Sequence, residues 1–247
     1  MSQPLQPAQL KVNLGCGMTG LPGWVNIDAD PLIRFRFALR SLQPLLRRGL
    51  LPFSPTTFDY YLQHPLPPGY VYWNFARKPL PFADSSVSAV FSSHTLEHLP
   101  RFLGRKVVRD VRRALRPEGV FRISVPDLEL MARQYLASIE HDGGGGSQTV
   151  ARPITAREVN FEFYRGRAGY HIEPQTRFDV FDFEGLYGKL FGVRGHMYMY
   201  DYADLRSLLM EAGFTRVERR VFGEGDCPDA VALDSRPGES LFVEAYP

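Results

Sequence analysis

Short apolar runs rich in β-branched and aromatic residues recur along the chain, and several stop at a glycine, a proline or an acid. Leu10 to Leu14 ends at Gly15, and Trp24 to Ile27 ends at Asp28-Ala29-Asp30-Pro31. Tyr70 to Trp73, Val87 to Phe91 and Phe121 to Val125 follow, the last closed by Pro126. Val217 to Phe222 and Leu241 to Ala245 lie near the C-terminus. Branched and ring side chains suit a pleated surface, so these runs are predicted strands. Two segments carry a helical period instead. Residues 104–116 put Val107, Val108, Val111 and Leu115 on one face and arginines on the other. Arg116-Pro117-Glu118-Gly119 is expected to stop that helix and turn into the next strand. Residues 202–212 align Leu205, Leu208, Leu209 and Ala212, with Asp201 and Asp204 to cap the start and Gly213 as the stop. Strands alternating with helices predict an α/β domain whose mainly parallel sheet is covered on both faces.

Two stretches exceed that minimal pattern, and both are read as insertions in a single domain spanning residues 1–247. Residues 31–69 carry Arg34, Arg36, Arg40, Arg47 and Arg48 among leucines and phenylalanines, with no acid before Asp59. Residues 140–200 open with Gly143-Gly144-Gly145-Gly146-Ser147 and then become densely aromatic, so they are expected to pack over something, an acceptor pocket or a second small core. A chain of 247 residues with 44% hydrophobic side chains can bury an ordinary core. A net charge of +2 gives no reason to expect nucleic acid. The arginines of residues 31–58 are the one place suited to an anionic membrane surface or an acidic acceptor; the plainer reading is amphipathic helices with arginines outward. Cys16 and Cys227 are the only cysteines, too few for a disulfide framework. With no signal-peptide pattern after Met1 and no apolar run near the ~20 residues of a membrane span, a soluble, cytoplasmic protein is expected.

Gly15-Cys16-Gly17-Met18-Thr19-Gly20 follows a predicted strand, and the next strand ends in acids. In open α/β sheets ligands lie beyond the C-terminal strand ends, where glycines let backbone approach closely. Asp28 is placed to accept hydrogen bonds from two ribose hydroxyls. A dinucleotide would need its pyrophosphate on a helix N-terminus. Only residues 18–23, containing Pro22 and two glycines, separate Gly17 from Trp24, too few for a useful helix. A nucleoside cofactor without phosphate, such as S-adenosylmethionine, avoids that conflict.

Val12-Asn13-Leu14-Gly15-Cys16-Gly17 resembles the first motif of class I S-adenosylmethionine-dependent methyltransferases. Pro79 to Val87 and Ser93-His94-Thr95-Leu96-Glu97-His98-Leu99 resemble the stretch around that family's fourth strand. Leu115 to Phe121 is similar to its approach to strand five, and Leu209 to Phe214 to its late helix. The likeness is nearest to bacterial type 11 methyltransferases. It implies a Rossmann-like seven-stranded sheet of order 3-2-1-4-5-7-6 with the last strand antiparallel. It also implies that Gly15, Cys16 and Gly17 form the turn around the methionine part and that Asp28 meets the ribose. Asn74 and Phe75 fall near adenine, and Ser92, Ser93 and His94 border the sulfonium. Asn13 and Asn74 stand where the family usually has carboxylates, which makes a non-catalytic binding module the alternative to an enzyme.

The expected activity is methyl transfer to a small-molecule acceptor, a sugar or another hydroxyl-bearing metabolite. Such a hydroxyl must lose a proton, and His94, leaving the fourth strand, is the first candidate base. The plainer role for His94 is to tie its loop. His196, entering the late helix, is the second candidate, and His171 a third. His94-Thr95-Leu96-Glu97-His98 also spells H-x-x-E-H, a zinc-hydrolase pattern when both histidines share one helix. A third ligand would come from Glu162 or Glu173. His94 directly follows a strand and Pro100 shortens any helix, so Glu97 and His98 are expected to brace a short turn, with no metal.

Overall fold

The computed structural model describes residues 9–30, 33–34, 40–48, 55–142 and 196–247. Seven strands, β1 (Lys11–Leu14), β2 (Val25–Asp28), β3 (Tyr70–Tyr72), β4 (Val87–Ser93), β5 (Leu115–Pro126), β6 (Arg216–Arg220) and β7 (Ser240–Tyr246), form one sheet. Its order is β3-β2-β1-β4-β5-β7-β6. Neighbours from β3 through β5 pair in parallel, whereas β7 runs antiparallel to both β5 and β6. The order and the reversed last strand agree with what the sequence resemblance implies.

Among the described residues the helices are α1 (Gln43–Arg47), α2 (Pro55–Gln63), α3 (Arg101–Ala114), α4 (Leu128–Asp142), α5 (Tyr202–Glu211) and α6 (Ala230–Leu233). The predicted apolar faces of α3 and α5 cover one side of the sheet. Val107, Val108 and Val111 join Leu205, Leu208 and Leu209 against Val12, Leu14, Val90, Phe121, Ile123 and Val125. Each such side chain contributes about 1.5–3 kcal/mol when fully buried, so this layer fixes the sheet's shape. Asp201 caps α5 as expected, accepting the Asp204 N–H at 2.8 Å.

One boundary differs from its expectation. The helix runs from Arg101 to Ala114, and Arg116-Pro117-Glu118-Gly119 lies inside β5 rather than before it. The ladder is interrupted there: Val87 pairs with Leu115 but Ala89 pairs with Val120. Proline lacks an N–H for the ladder, and a Cβ on Gly119 would crowd Leu115, Arg116 and Ser88. The turn signal therefore makes a bulge.

The opposite face of β5 carries Arg122, wholly buried, whose N–H groups are spent on Asp234, Glu244 and the carbonyls of Val221 and Glu224. Trp24, Ala89, Phe91, Val120 and Cys227 form a small apolar cluster on the sheet. In the arginine-rich stretch Arg34, Arg40, Arg47 and Arg48 are exposed while Ile33 is buried, and Arg47 lies 3.6 Å from Asp59. Arg36 lies outside the described residues. So do residues 143–195, and with them Glu162, His171 and Glu173. No helix among the described residues is long and apolar enough to cross a membrane.

Candidate functional site

The glycine turn leaves the C-terminal end of β1. The N–H groups of Gly15 and Cys16 both donate to Ile27 O, at 2.8 and 3.0 Å, which ties the turn to β2. Gly15 and Gly17 both have positive φ, +75° and +54°. Their surroundings are opposite. A Cβ on Gly15 would overlap the Thr95 side chain, whereas a Cβ on Gly17 would meet nothing within 4 Å. Gly15 is thus required by packing, and Gly17 faces open space. Cys16 is buried, and burial followed by the Asp28 charge pushes its thiol far above the usual range, so it is an inert packing residue.

Asp28 ends β2 and closes over this turn. Its Oδ2 accepts the Gly17 N–H at 2.8 Å and its Oδ1 the Asp30 N–H at 2.7 Å. Burial raises its carboxyl more than the backbone donors of Gly17, Asp30 and Ala29 and the charge of His98 lower it. A carboxylate has about four acceptor sites, so these three N–H groups still leave capacity for a ligand's hydroxyl. Beneath the turn, Asn13 Nδ2 donates to Asn26 Oδ1 at 3.0 Å and to Thr19 O at 3.3 Å. Asn26 Nδ2 in turn donates to the carbonyls of Leu21, Trp24 and Pro68. The amide of Asn13, where the resemblance has a carboxylate, is therefore a donor in a buried network that shapes the turn. Gly20 is needed because any side chain there would overlap Asn26.

At the end of β4, Ser92 is buried, and Ser93 Oγ accepts from Ser124 Oγ at 2.8 Å and lies 3.2 Å from Ser235 Oγ. His94 then takes a left-handed backbone, φ +48°, which turns the chain off the sheet. Its ring is held on both sides: Nδ1 is 3.2 Å from Glu97 Oε1 and Nε2 is 2.9 Å from Ser240 Oγ. Leu96–His98 form a single 3-10 turn, so His94 and His98 do not share one helix and the hydrolase arrangement of H-x-x-E-H does not form. Glu97 is wholly buried. Burial alone would raise its carboxyl, but the His94 contact and the charges of His98 and His94 outweigh this and hold it below the usual range.

Residues 196–200 cross the same region. Met197 and Tyr198 N–H donate to Glu97 O at 2.6 and 3.2 Å, and Tyr200 bridges to Asp127. This places His196 against His98, ring centroids 5.0 Å apart. Glu97 thus lies close to both His94 and His196, the first two candidate bases. After β3, Asn74 Oδ1 accepts the Arg77 N–H at 3.1 Å, and the Phe75 side chain belongs to the main core. Thr95, Asn26 and Ser240 escape sequence reasoning. Thr95 reaches Leu14 of β1, Asn26 meets Asn13 of β1 and Ser240 meets His94 just past β4, and only the repeated small polar types at strand ends hint at them.

The sheet order, with the glycine turn at β1 and the acid closing β2, matches the class I methyltransferase fold. Residues 69–123 match the methyltransferase-domain family model (Methyltransf_11). That match supports reading the chain as a class I S-adenosylmethionine-dependent methyltransferase with S-adenosylmethionine as its cofactor. No curated protein matches it in sequence. Among solved structures, an S-adenosylmethionine-dependent methyltransferase from Mesorhizobium loti is 17% identical, with 99% of this chain and 94% of that one covered and a TM-score of 0.44. One from Thermotoga maritima is 14% identical over 98% of this chain and 84% of that one, TM-score 0.44. A Pyrococcus horikoshii protein is 16% identical over 97% and 82%, TM-score 0.45.

Proposed function

We propose that the chain moves the methyl group of S-adenosylmethionine onto an oxygen of a small hydroxyl-bearing acceptor, a sugar or a similar metabolite, with His94 taking the proton. The observation that carries this reading is the setting of His94, one residue past β4 with its ring clamped between Glu97 and Ser240. When bound, the cofactor supplies a methyl group activated by a sulfonium. The protein's part is to position the reactants and exclude water. Open space at Gly17 and spare acceptor capacity on Asp28 fit a nucleoside ligand. In this reading Gly15, Cys16 and Gly17 surround the methionine part, Asp28 holds the ribose, and Asn74 and the backbone of Phe75 lie beside adenine. Ser92 and Ser93 line the approach to the methyl group.

A hydroxyl acceptor gives up its proton as the new O–C bond forms and the S–C bond breaks. In this reading Nε2, the ring edge turned away from Glu97, takes that proton, and the Glu97 carboxylate beside Nδ1 offsets the charge the ring gains. Ser240 Oγ meets that edge now, and an acceptor hydroxyl would replace it. The test uses His94→Gln with a panel of sugars and phenols, following release of S-adenosylhomocysteine. Turnover should fall about 10²–10⁴-fold, the usual worth of a positioned base, while S-adenosylhomocysteine affinity by calorimetry stays within about twofold. Unchanged turnover removes His94 from the chemistry. A chain that bound the cofactor but methylated nothing in the panel would favour the binding-module alternative.

A further inference from the structure

Glu97 poses a problem that the methyltransferase chemistry does not solve. Its carboxylate is wholly buried, and no hydrogen bond of good geometry reaches either oxygen from the described residues. Its polar neighbours are imidazoles: His94 Nδ1 at 3.2 Å and His98 Nε2 at 4.0 Å from Oε1. A buried carboxylate without hydrogen-bond donors is costly unless a cation meets it. One oxygen of Glu97, one nitrogen of His98 and one nitrogen of His196 lie within 4.8 Å of one another. We propose that Glu97, His98 and His196 bind a divalent transition metal of zinc's class, at the rim of the site described above.

The donor set is the argument. Two neutral imidazoles and one carboxylate form a three-ligand set typical of zinc sites that keep a fourth position open. The exposure matches that arrangement, because Glu97 and His196 are buried while the His98 side chain is 40% exposed. His98 gives the ligand set an edge open to solvent, where a water or an oxygen ligand can enter. The backbone already holds the ligands in register. Glu97 and His98 share one 3-10 turn, and the Met197 and Tyr198 N–H groups dock His196's segment onto Glu97 O. His94 completes the arrangement from behind, as the outer group that orients the Glu97 carboxylate. The ligand set differs from the H-x-x-E-H reading, in which His94 and His98 would share the metal.

The site is tested without reference to methyl transfer. Purified full chain, stripped of metal, is titrated with Co2+ and followed by the visible absorption of four-coordinate cobalt, then competed with Zn2+. The expected result is one Co2+ per chain, displaced by Zn2+, with a Zn2+-dependent rise in melting temperature. His98→Ala and His196→Ala should each abolish the absorption and the thermal shift, whereas His94→Ala should keep one metal per chain. His98 is partly exposed, so its variant is expected to fold, and S-adenosylhomocysteine binding checks that it does. Failure of the folded wild-type chain to take up Co2+ or Zn2+ overturns the proposal, as does uptake unaffected by both His98→Ala and His196→Ala. Neither outcome bears on the role of His94 as base.

Discussion

Glu244 and Glu97 are both wholly buried carboxylates, yet one is enclosed by donors and the other is not. Glu244 Oε1 accepts from Arg122 Nη1 at 3.1 Å and the Cys227 N–H at 2.9 Å. Its Oε2 accepts from the Asp226 N–H, Arg220 Nε and the Tyr246 hydroxyl. Glu97 has imidazoles around it and no comparable bonds. The first carboxylate sits between β5, β7 and β6, far along the sheet from the glycine turn. The second sits beyond the end of β4, where ligands bind in such sheets. A charge whose every lone pair is answered by protein holds the fold. A charge answered only in part is available to something else.

The largest expected effect comes from breaking the enclosed side. Arg122→Met leaves Asp234 and Glu244 buried without their guanidinium, which should cost about 3–5 kcal/mol by chemical denaturation. Glu244 also sets a pH window. Burial would raise its carboxyl, but the N–H groups of Asp226 and Cys227, the Tyr246 hydroxyl and Arg122 together hold it below the ordinary 4.5. A depressed carboxyl contributes stability above its unfolded value and loses it as pH falls through its folded value. Wild-type stability should therefore drop as the pH falls below about 4.5, and Glu244→Gln should flatten that slope. A mild effect of Arg122→Met would mean that the enclosed network is dispensable and the contrast with Glu97 is not one of fold against function.

Next in size is Gly15→Ala, which tests whether part of the glycine turn belongs with the enclosed side. The added Cβ would overlap Thr95 and sit at φ +75°. Left-handed strain of about 1–2 kcal/mol and a packing clash of similar size predict a loss of roughly 2–4 kcal/mol in thermal or denaturant melts. Asn13→Asp follows. It replaces a donor amide by a carboxylate facing Asn26 Oδ1 and Thr19 O. Leaving those acceptors unmet should cost about 1–3 kcal/mol in denaturant melts. If Asn13→Asp instead stabilised the chain, the amide would be a neutral replacement and the network beneath the turn incidental.

Much of this was visible in the sequence because it is local. The alternation of apolar runs and the glycine turn forecast the sheet, and Asp28 stands where the end of β2 puts it. The acid at 201 and glycine at 213 bracket α5 by the chemistry of helix ends alone. What stayed hidden depends on distant pairing. His94 meets Ser240 across 146 residues, Arg122 meets Glu244 across 122, and Thr95 reaches Leu14 across 81. No spacing rule carries such contacts. H-x-x-E-H is the exception: the strand before His94 and Pro100 after the motif argue against one helix, and the left-handed His94 and a single 3-10 turn agree with that. The Arg116-Pro117-Glu118-Gly119 signal was real, yet β4 had already committed Leu115 to the ladder.

Gly17→Ala is the smallest perturbation of the fold and the sharpest test of the contrast. Its φ of +54° lies in the left-handed region, so alanine should cost about 1 kcal/mol in melting experiments. Nothing in the protein lies within 4 Å of the new Cβ, so no packing term adds to that. The methyl group would project into the space next to Asp28, whose Oδ2 already accepts the Gly17 N–H. S-adenosylhomocysteine affinity should therefore fall roughly tenfold or more by calorimetry, equivalent to about 1.4 kcal/mol, while Gly15→Ala shows its loss chiefly in stability. Two glycines two residues apart would then fail in different measurements, one as a packing residue and the other as a wall of the site. Equal cofactor affinity in Gly17→Ala and wild type would place the ligand elsewhere and leave the space at Gly17 without a role.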